Sequence, residues 1–531
     1  MLVIYNANIY TLDRHTQTAS ALAIDHGRVI ATGTNEEILS SFSSSNLLDA
    51  HGLTIIPGLS DAHIHLEEYA LSLRKVDCET STRQQCLQMI AERVATSPPD
   101  DWFLGHGWNQ NNWSEGYGSA SLLDAIAPNN PVYLTHKSLH SAWANSIALQ
   151  RAGITRTTPD PAGGWIGRLP SGEPDGILFE SATSIFEDAI PAPSLDHVEH
   201  AIQRSIPLLW QMGLTGLHDF DGSRCFSALQ NLHNRHELNL RVIKGIRLED
   251  LSHAVEIGLR SGFGDDILRI GPVKMFADGA LGPHTAAMLQ PYGDEPNNSG
   301  ILTMDAEALY EHGRLAVENG ISMAVHAIGD RANRVVLDAY AKLRVLEQSS
   351  PCSSQNQMRH RVEHVQVIHP DDIPKFSRLQ IIASMQPIHA TSDMLMADRC
   401  WGDRSAFAYA WRSLSSQHVS LAFGSDAPVE SPNPFWGIHA AVTRRRADGT
   451  PSEQGWHPEQ CLTVDDALHA YTTGAAFAAG MEDKLGKLSP GYLADLLILN
   501  ENPYTCSPNS LVTIHPLATM VGGEWVFSEL E

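Results

Sequence analysis

The sequence has few of the features that mark secreted or membrane-bound proteins. Its 531 residues contain no Cys-x-x-Cys pair and only seven cysteines, at positions 78, 86, 225, 352, 400, 461 and 506. An odd number of widely spaced cysteines predicts free thiols in a reducing compartment rather than a disulfide framework. The first residues, MLVIYNANIYTLD, lack a basic region followed by a long apolar run, so we expect neither a signal peptide nor a membrane anchor. These absences predict a soluble, cytoplasmic protein.

Basic residues and glycine-rich nucleotide motifs are also scarce. The chain has 36 Lys and Arg against 61 Asp and Glu, a net charge of −25, which disfavours nucleic acid and anionic membranes as partners. No phosphate-binding or dinucleotide-binding glycine pattern occurs in a suitable context. Gly424-Ser425-Asp426 has no surrounding Gly-x-Ser-x-Gly turn, which argues against a serine nucleophile. No internal repeat stands out.

Short alternating segments occupy both ends of the chain. They fill residues 1–56 and return after about Gly486, with strands predicted at Leu493–Leu499, at Leu511–Thr513 and in ATMVGGEWVFS. We therefore expect a small β-sandwich built from residues 1–56 and 481–531.

Between these ends, strand patterns alternate with helical patterns. Helices are predicted at Asp305–Asn319, Arg331–Leu346 and Asn433–Arg446. This α/β rhythm predicts a (β/α)8 TIM-type barrel over residues 57–480. A tryptophan-rich stretch at about 67–200 interrupts it after the first barrel strand and is expected to be an insertion over the barrel mouth. The eight strand candidates are Thr54–His65, Gly213–Phe220, Leu240–Arg247, Ile267–Ala277, Ser322–Ile328, Arg361–Val367, Gln380–Pro387 and Val419–Gly424.

The first barrel strand ends in His63-x-His65. Residues i and i+2 of a strand point to the same face, so both imidazoles project together and can hold one metal ion. A lone His-x-His is at least as often structural. The ends of the other strands favour a metal-binding role over a structural one, because they supply Lys274, His326, His364 and Asp426. Burying an unpaired lysine in a barrel interior costs free energy, so Lys274 needs a partner there. The joint occurrence of these residues predicts a metal site at the C-terminal face of the barrel.

These motifs resemble the amidohydrolase superfamily over essentially the whole chain. The resemblance is strongest to its YtcJ-like branch (amidohydrolase family 3), which includes N-substituted formamide deformylase. His284 departs from the family pattern, which usually reads Gly-Ser-Arg-Thr there, and this puts the usual substrate preference in doubt. The strings that carry the resemblance are PGLSDAHIHL, VKMFADGALGPHTAA, AVHAIGDRANRVV, RVEHVQ, ASMQPIH, FGSDAPVESPNPFWGIHAAVTRR and GKLSPGYLADLLIL.

The resemblance implies two metal ions. His63, His65 and Asp426 would hold one ion and His326 and His364 the other. Lys274 would bridge them as a carbamate, which turns a buried cation into an oxygen-donor anion. Zinc suits these ligands, and manganese, iron or cobalt would fit as well. A single-metal site with unmodified Lys274 is the open alternative.

Such a site predicts hydrolysis of a carbon–nitrogen amide bond, other than a peptide bond, in a small N-acyl or N-formyl compound by a metal-activated hydroxide. Asp426 is the candidate for proton transfer, with a role as ligand only as the alternative. Asp278 and the His218-Asp219 pair are expected to position the site. Candidate substrate contacts are Trp108, Asn109, Arg168, His284, Gln386 and His389.

Other functions remain open from the sequence. A mononuclear deaminase or cyclic-amide hydrolase of the same superfamily is the main alternative, and ester or lactone hydrolysis is chemically close to amide hydrolysis. A non-catalytic scaffold ranks lower, because all six ligand positions are filled. The expected partner is a small-molecule amide, and a homodimer is an open possibility.

Overall fold

The computed structural model describes residues 1–73, 75–110, 113–136, 141–161, 163–186, 189–349 and 358–530. The chain divides into two compact units, Met1–Tyr69 with Glu199–Glu531, and Ala70–Val198. Cys352 lies outside the described residues, and the six described cysteines are free. Among the described helices, none combines the length and the apolar character needed to cross a bilayer.

The strands, in chain order, are β1 (Leu2–Tyr5), β2 (Asn8–Tyr10), β3 (Thr18–Ala19), β4 (Ala21–Asp25), β5 (Arg28–Gly33), β6 (Leu47–Asp49), β7 (Thr54–Pro57), β8 (Leu59–Ile64), β9 (Val76–Asp77), β10 (Phe103–Trp108), β11 (Val132–His136), β12 (Ser141–Ala144), β13 (Gly164–Arg168), β14 (Pro174–Glu180), β15 (Leu214–Asp219), β16 (Arg241–Arg247), β17 (Leu268–Phe276), β18 (Met323–Ala327), β19 (Arg361–His364), β20 (Ile382–Met385), β21 (Leu421–Phe423), β22 (Leu496–Leu499), β23 (Pro516–Val521) and β24 (Glu524–Ser528).

The α-helices are α1 (Asn35–Ser41), α2 (Leu66–Ser72), α3 (Arg83–Val94), α4 (Ala120–Ile126), α5 (Ser146–Arg151), α6 (Leu195–Gln211), α7 (Ser223–Asn234), α8 (Leu251–Glu256), α9 (Ala306–Glu318), α10 (Asp330–Ser349), α11 (Ile373–Leu379), α12 (Pro387–Trp401), α13 (Trp411–Ser416), α14 (Pro434–Thr443), α15 (Val464–His469) and α16 (Ala475–Ala479).

Eight parallel strands form the barrel of the first unit. Their order is β21-β20-β19-β18-β17-β16-β15-β8, with β8 and β21 at the two ends of the sheet. Two hydrogen bonds connect the C-terminal end of β8 to the chain just after β21. The amide of Asp426 donates to the His63 carbonyl at 2.7 Å, and that of His65 donates to the Ala427 carbonyl at 2.9 Å. The predicted (β/α)8 fold is confirmed, and each of the eight predicted segments contains a barrel strand.

The prediction of one continuous strand at Thr54–His65 was wrong. It is two strands, β7 and β8, separated at Gly58, and β7 leaves the barrel to join a different sheet. A Cβ at Gly58 would lie 2.3 Å from the Thr215 hydroxyl oxygen, so the chain bends where only glycine fits between the two sheets.

The terminal segments of the chain form two further sheets of the first unit, and only the second contains strands from both ends. One has the order β5-β4-β1-β6 and the other β24-β23-β22-β7-β2-β3. Strand β22 from the C-terminal end pairs antiparallel with β7 from the N-terminal end. Ile4, Ile55, Ile498 and Met520 lie in one apolar core. The strand predicted at Leu511–Thr513 was wrong, because these residues end a 3-10 helix, Pro508–Thr513, that Ser507 caps.

The second unit, residues 70–198, contains a six-stranded mixed sheet of order β13-β14-β12-β11-β10-β9. Its tryptophans are largely structural. Trp108, Trp113 and Trp143 pack together in an apolar core at ring-centroid distances of 6.1–6.3 Å, whereas Trp165 is half exposed. The unit agrees in extent with the predicted insertion, and its placement over the barrel mouth stays a prediction.

A buried ion pair links the barrel to the terminal sheets and generates a stability prediction. The Arg241 guanidinium on β16 donates to both Asp495 oxygens at 2.6 and 2.7 Å, and both side chains are 6% exposed.

Asp495→Asn leaves a buried cation without its counter-charge, so we expect a loss of about 3–5 kcal/mol of stability. Denaturant unfolding measures the change. Glu318→Gln, in an exposed pair with Arg314, is the control and should cost below about 1 kcal/mol. Equal losses in both variants would contradict the prediction.

Candidate metal centre

The predicted ligands meet at the C-terminal ends of the barrel strands. His63 lies near the end of β8, Lys274 near the end of β17, His326 on β18 and His364 at the end of β19, while Asp426 follows β21. Parallel barrel strands bring such ends to one face, which explains how residues far apart in sequence come together. His364 and Asp426 have φ values of 73° and 60°, a left-handed conformation that is unfavourable for residues other than glycine. The surrounding fold therefore holds both side chains in place against local backbone preference.

His63, His65 and Asp426 form one group of candidate ligands. Their ligand atoms all lie within 4.8 Å of one another, and the Nε2 atoms of both histidines are 3.5 Å from Asp426 Oδ1. The opposite ring nitrogens donate to carboxylates, His63 Nδ1 to Glu363 at 2.6 Å and His65 Nδ1 to Asp221 at 3.0 Å. A proton on Nδ1 leaves the Nε2 lone pair directed into the site, as in carboxylate–histidine–metal arrangements.

A second group contains His364, His389 and Asp426, whose ligand atoms also lie within 4.8 Å of one another. His364 Nδ1 donates to the Gln386 side-chain oxygen at 2.8 Å, so its Nε2 is free to accept or ligate. His389 Nε2 is buried and lacks a hydrogen-bond partner among the described residues, and it lies 4.0 Å from Asp426 Oδ2. The predicted substrate contacts Gln386 and His389 thus lie around the ligand group itself.

His326 stands slightly apart from these groups. Its ring centroid is 4.6 Å from that of His364, but its Nε2 donates to the Gly279 carbonyl at 2.9 Å. This bond leaves Nδ1 as the atom with a free lone pair. Asp278, predicted to position the site, accepts from the backbone amides of Ala287, Ile328 and Gly329, and so ties the loop after β17 to the end of β18.

Burial keeps most of these imidazoles neutral. Burial, followed by the Lys274 charge, lowers the pKa of His63 well below its usual range and that of His326 to about 4. Burial likewise lowers the pKa of His364. Burial of His65 acts in the same direction, but the hydrogen bond and charge of Asp221 outweigh it and raise the pKa of His65. Neutral imidazole is the form that ligates metals.

Lys274 is buried between aromatic rings. Its Nζ lies 3.5 Å from His63 Nε2, 4.9 Å from the Phe220 centroid and 5.0 Å from the Phe276 centroid. Within the described part of the chain, no carboxylate oxygen lies within 4.0 Å of Nζ, and burial lowers the pKa of Lys274 to about 8. The lowered pKa increases the fraction of Lys274 that is a neutral amine, which is the form that can react with carbon dioxide.

The donor set fits a divalent cation. The Nε2 atoms of His63 and His65 both lie 3.5 Å from Asp426 Oδ1, so two nitrogen donors and one oxygen donor face a common point. A divalent ion could bind all three, and nitrogen and oxygen donors in this combination suit zinc, manganese, iron or cobalt.

Several residues that hold the ligands were missed by sequence reasoning. Glu363, fully buried, accepts from His63 and also pairs with Arg361 at 2.6 Å. Arg361 in turn donates to His218 Nδ1 at 2.8 Å. Asp221, which was also missed, holds His65. Asp219, which the sequence did predict to position the site, pairs with Lys244 at 2.9 Å. The available signal was a run of charged residues inside strands that must be buried, such as Arg-Val-Glu-His on β19.

The remaining predicted substrate contacts lie elsewhere. Trp108 is buried and donates to the Leu134 carbonyl, and Arg168 donates to four backbone carbonyls between residues 155 and 172. Asn109, just after β10, is partly exposed. These three belong to the 70–198 unit, and their contact with substrate stays a prediction. His284 joins a separate group with Asp294 and Cys400.

A cleft of about 750 Å³ opens beside the ligand group in the first unit. Its volume is in the range of small-molecule sites. It combines apolar and charged walls, and its lining includes His65, Phe220, Arg224, Arg247, Lys274 and Phe276.

A parallel eight-stranded barrel with histidines, a lysine and an aspartate at its strand ends defines the class of metal-dependent barrel hydrolases. The family model described as "Amidohydrolase family" matches residues 46–527, so the chain belongs to the amidohydrolase family. It is accordingly a metal-dependent hydrolase of that superfamily.

Individual proteins show the same relationship. The chain is 32% identical to the putative amidohydrolase YtcJ of Bacillus subtilis, with 98% of each chain covered. It is 28% identical to N-substituted formamide deformylase of Arthrobacter pascens, over 98% of this chain and 97% of that protein. The crystal structure of an uncharacterized metal-dependent hydrolase from Pyrococcus horikoshii superimposes with a TM-score of 0.78 at 27% identity, covering 95% of this chain and 98% of that one. The resemblance to the YtcJ-like branch is confirmed.

The hydrogen bond from His63 to Glu363 generates a testable prediction. Glu363→Gln keeps the shape of the side chain but removes the charge that orients the imidazole, so we expect metal affinity to fall about 10–100-fold. Competition with a chelator, followed by metal analysis, measures the change. Glu311→Gln on the exposed face of α9 is the control and should bind metal as the wild type does. Unchanged affinity in Glu363→Gln would show that Glu363 does not act on the ligand.

Proposed function

We propose that the chain hydrolyses a carbon–nitrogen amide bond, of the N-acyl or N-formyl type, in a small molecule. One observation carries the proposal. The Asp426 carboxylate faces the Nε2 atoms of His63 and His65 with one oxygen, at 3.5 Å each, and that of His389 with the other, at 4.0 Å. The deformylase activity named for the Arthrobacter relative supports this choice of bond.

Metal ions held by this group, most simply zinc, would lower the pKa of a water molecule and polarise the substrate carbonyl. We propose that His63, His65 and Asp426 hold one ion, and that His326 and His364 hold a second. His389 is an additional candidate ligand on the side of His364. The carboxylates of Glu363 and Asp221 keep the imidazoles of His63 and His65 oriented with Nε2 toward the ions.

Asp426 is the proposed proton carrier. Its two oxygens face different histidines, so one oxygen can contact a metal while the other accepts a proton from the attacking water. The same carboxyl group can then give that proton to the leaving nitrogen. Its side chain is 13% exposed, which limits competition from bulk water while leaving it open to the site.

Lys274 is the proposed bridge between two ions, as a carbamate formed with carbon dioxide. Its burial, its lowered pKa and the absence, among the described residues, of a carboxylate within ion-pair distance support the modification. The rival function is a mononuclear deaminase or cyclic-amide hydrolase in which Lys274 keeps its amine. The incomplete approach of His326, whose Nε2 is bound to the Gly279 carbonyl, favours that rival.

The substrate is proposed to bind in the 750 Å³ cleft, where Arg224 and Arg247 could meet a carboxylate or carbonyl group and Phe220 and Phe276 an apolar one. We further propose a cytoplasmic location and no nucleic-acid or membrane partner, supported by the net charge of −25. The homodimer stays a prediction.

The first test combines metal analysis with a panel of N-formyl and N-acyl amines. We expect about two zinc ions per chain in the hydrolytic centre, hydrolysis that is lost after chelation, and recovery when zinc is added back. Cyclic amides and aminopurine-type deamination substrates belong in the same panel. One ion together with ammonia release from the latter compounds would favour the rival function, and no hydrolysis of any substrate in a metal-loaded protein would contradict the proposal.

The role of Asp426 predicts the phenotype of Asp426→Asn. The amide can still ligate a metal through its oxygen but cannot shuttle a proton, so we expect kcat to fall about 10²–10⁴-fold. Steady-state kinetics and metal analysis of the same sample measure both properties. If kcat falls only in proportion to lost metal, Asp426 is a ligand and not a proton carrier.

The carbamate predicts a distinctive response of Lys274→Ala. We expect this variant to lose one ion and most activity, and a short-chain carboxylic acid that fills the space left by the side chain to restore part of both. Carbon-13 NMR of the wild type in labelled bicarbonate should show a carbamate carbon that is absent from the variant. Full metal content without this carbon signal would contradict the bridge.

A further inference from the structure

A group of metal-ligating side chains lies outside the proposed hydrolytic centre. It consists of His284, Asp294 and Cys400, which we call the His–Asp–Cys cluster. His284 Nε2 lies 3.1 Å from Cys400 Sγ and 3.7 Å from Asp294 Oδ2, and the sulfur lies 3.5 Å from that oxygen. Ligands arranged tetrahedrally around zinc are separated by about 3.3–3.6 Å, given the usual bond lengths of about 2.0–2.3 Å. The three atoms therefore already approach the spacing of a metal site.

A neighbouring carboxylate orients the histidine. His284 Nδ1 donates to Glu295 Oε1 at 2.8 Å, which places the ring proton on Nδ1 and leaves the Nε2 lone pair toward the sulfur and Asp294. The same carboxylate–histidine arrangement holds the ligands of many protein metal sites.

The backbone around the cluster is also tied together. The amide of Gly293 donates to the Cys400 carbonyl at 2.7 Å, and the Asn298 side chain donates to the His284 carbonyl at 3.1 Å. The His284 ring stacks on Tyr292 with a centroid distance of 4.7 Å. The ligand positions are thus fixed before any ion binds, which reduces the entropic cost of binding.

The charges of the cluster suit a divalent cation. With Cys400 as thiolate, Asp294, Glu295 and Cys400 carry three negative charges, and Arg399, which lies 3.2 Å from Asp294, supplies one positive charge. A divalent ion would neutralise the remaining two. The His284 and Asp294 side chains are 14% and 27% exposed, so an ion can enter from solvent.

The cluster is distinct from the hydrolytic centre. Cys400 lies in the last turn of α12 and His389 in its first turn, so about 16 Å of helix separate them. His284 and Asp294 come from the loop between β17 and α9, so an ion would join this loop to α12.

We propose that His284, Asp294 and Cys400 bind one zinc-class divalent cation, with solvent at the fourth position. The thiol proton is released to solvent on binding. The ion would cross-link the loop after β17 to the end of α12. This site does not depend on the proposed amide hydrolysis.

Cobalt provides a selective test, because a thiolate ligand gives a charge-transfer band in the near ultraviolet and the proposed hydrolytic centre contains no cysteine. The full chain is reduced, stripped of metal with a chelator and titrated with Co²⁺. We expect the intensity of the band at saturation to correspond to one thiolate-bound cobalt per chain, whatever additional cobalt the hydrolytic centre takes up. Glu295→Gln should keep the band and weaken cobalt binding about 10–100-fold.

Cysteine variants distinguish cobalt bound by Cys400 from cobalt bound by other cysteines. Cys400→Ser should abolish the band and lower the zinc content by one ion per chain, while Cys461→Ser should leave both unchanged. Cys225→Ser removes the thiol of another group, with Asp219 and Asp221, and should also keep the band. If Cys400→Ser does not fold, His284→Gln takes its place as the test variant, because it removes a ligand of the proposed site and keeps the thiol.

Two results would overturn the proposal. One is the absence of a band in the wild type, which would leave the cluster as a set of hydrogen bonds. The other is a band that survives in Cys400→Ser or disappears in Cys225→Ser, which would assign the thiolate to another position.

Discussion

The buried carboxylate of Asp61 is the contact on which the site depends, because it joins the first and last strands of the barrel. Its Oδ1 accepts from the backbone amides of His63 and Ser425, both at 3.0 Å, and its Oδ2 accepts from the Ser425 hydroxyl at 2.5 Å. A Cβ at Gly424 would lie 2.5 Å from Oδ1, so only glycine allows this approach. The contact fixes Asp426 beside the two histidines. Burial raises the pKa of Asp61 to about 7 despite these donors.

A chain of buried polar groups then extends from the site into the barrel. It runs from His63 to Glu363, from Glu363 to Arg361, and from Arg361 to His218. Arg361 and Glu363 are fully buried, and such a pair persists only where each charge is matched. The same carboxylate therefore compensates a buried guanidinium and orients a candidate ligand. Substitutions at β19 would affect the packing of the barrel and the metal centre together.

Much of the fold was accessible from the sequence, because apolar strands between helical stretches are a strong local signal. The eight barrel strands follow from that signal, and so do the positions of the candidate ligands at their ends. Local patterns could not predict which side chains contact one another across the barrel. His389 is an example, because its approach to Asp426 depends on α12 starting at Pro387 and turning the side chain inward. Glu363 and Asp61 were missed for the same reason, since their partners are 300 and 364 residues away in the sequence.

The pairing of β7 with β22 has a consequence for biosynthesis. Strand β7 leaves the ribosome early. Its partner β22 (Leu496–Leu499) is synthesised only after more than four hundred further residues. Until then β7 can pair only with β2, and Ile55 lacks the core neighbours that come from the C-terminal end, such as Ile498. A nascent chain in this state exposes one unpaired edge of β7, and exposed strand edges of this kind are prone to aggregation before folding is complete. The sheet that joins the two termini should therefore be among the last parts of the protein to form.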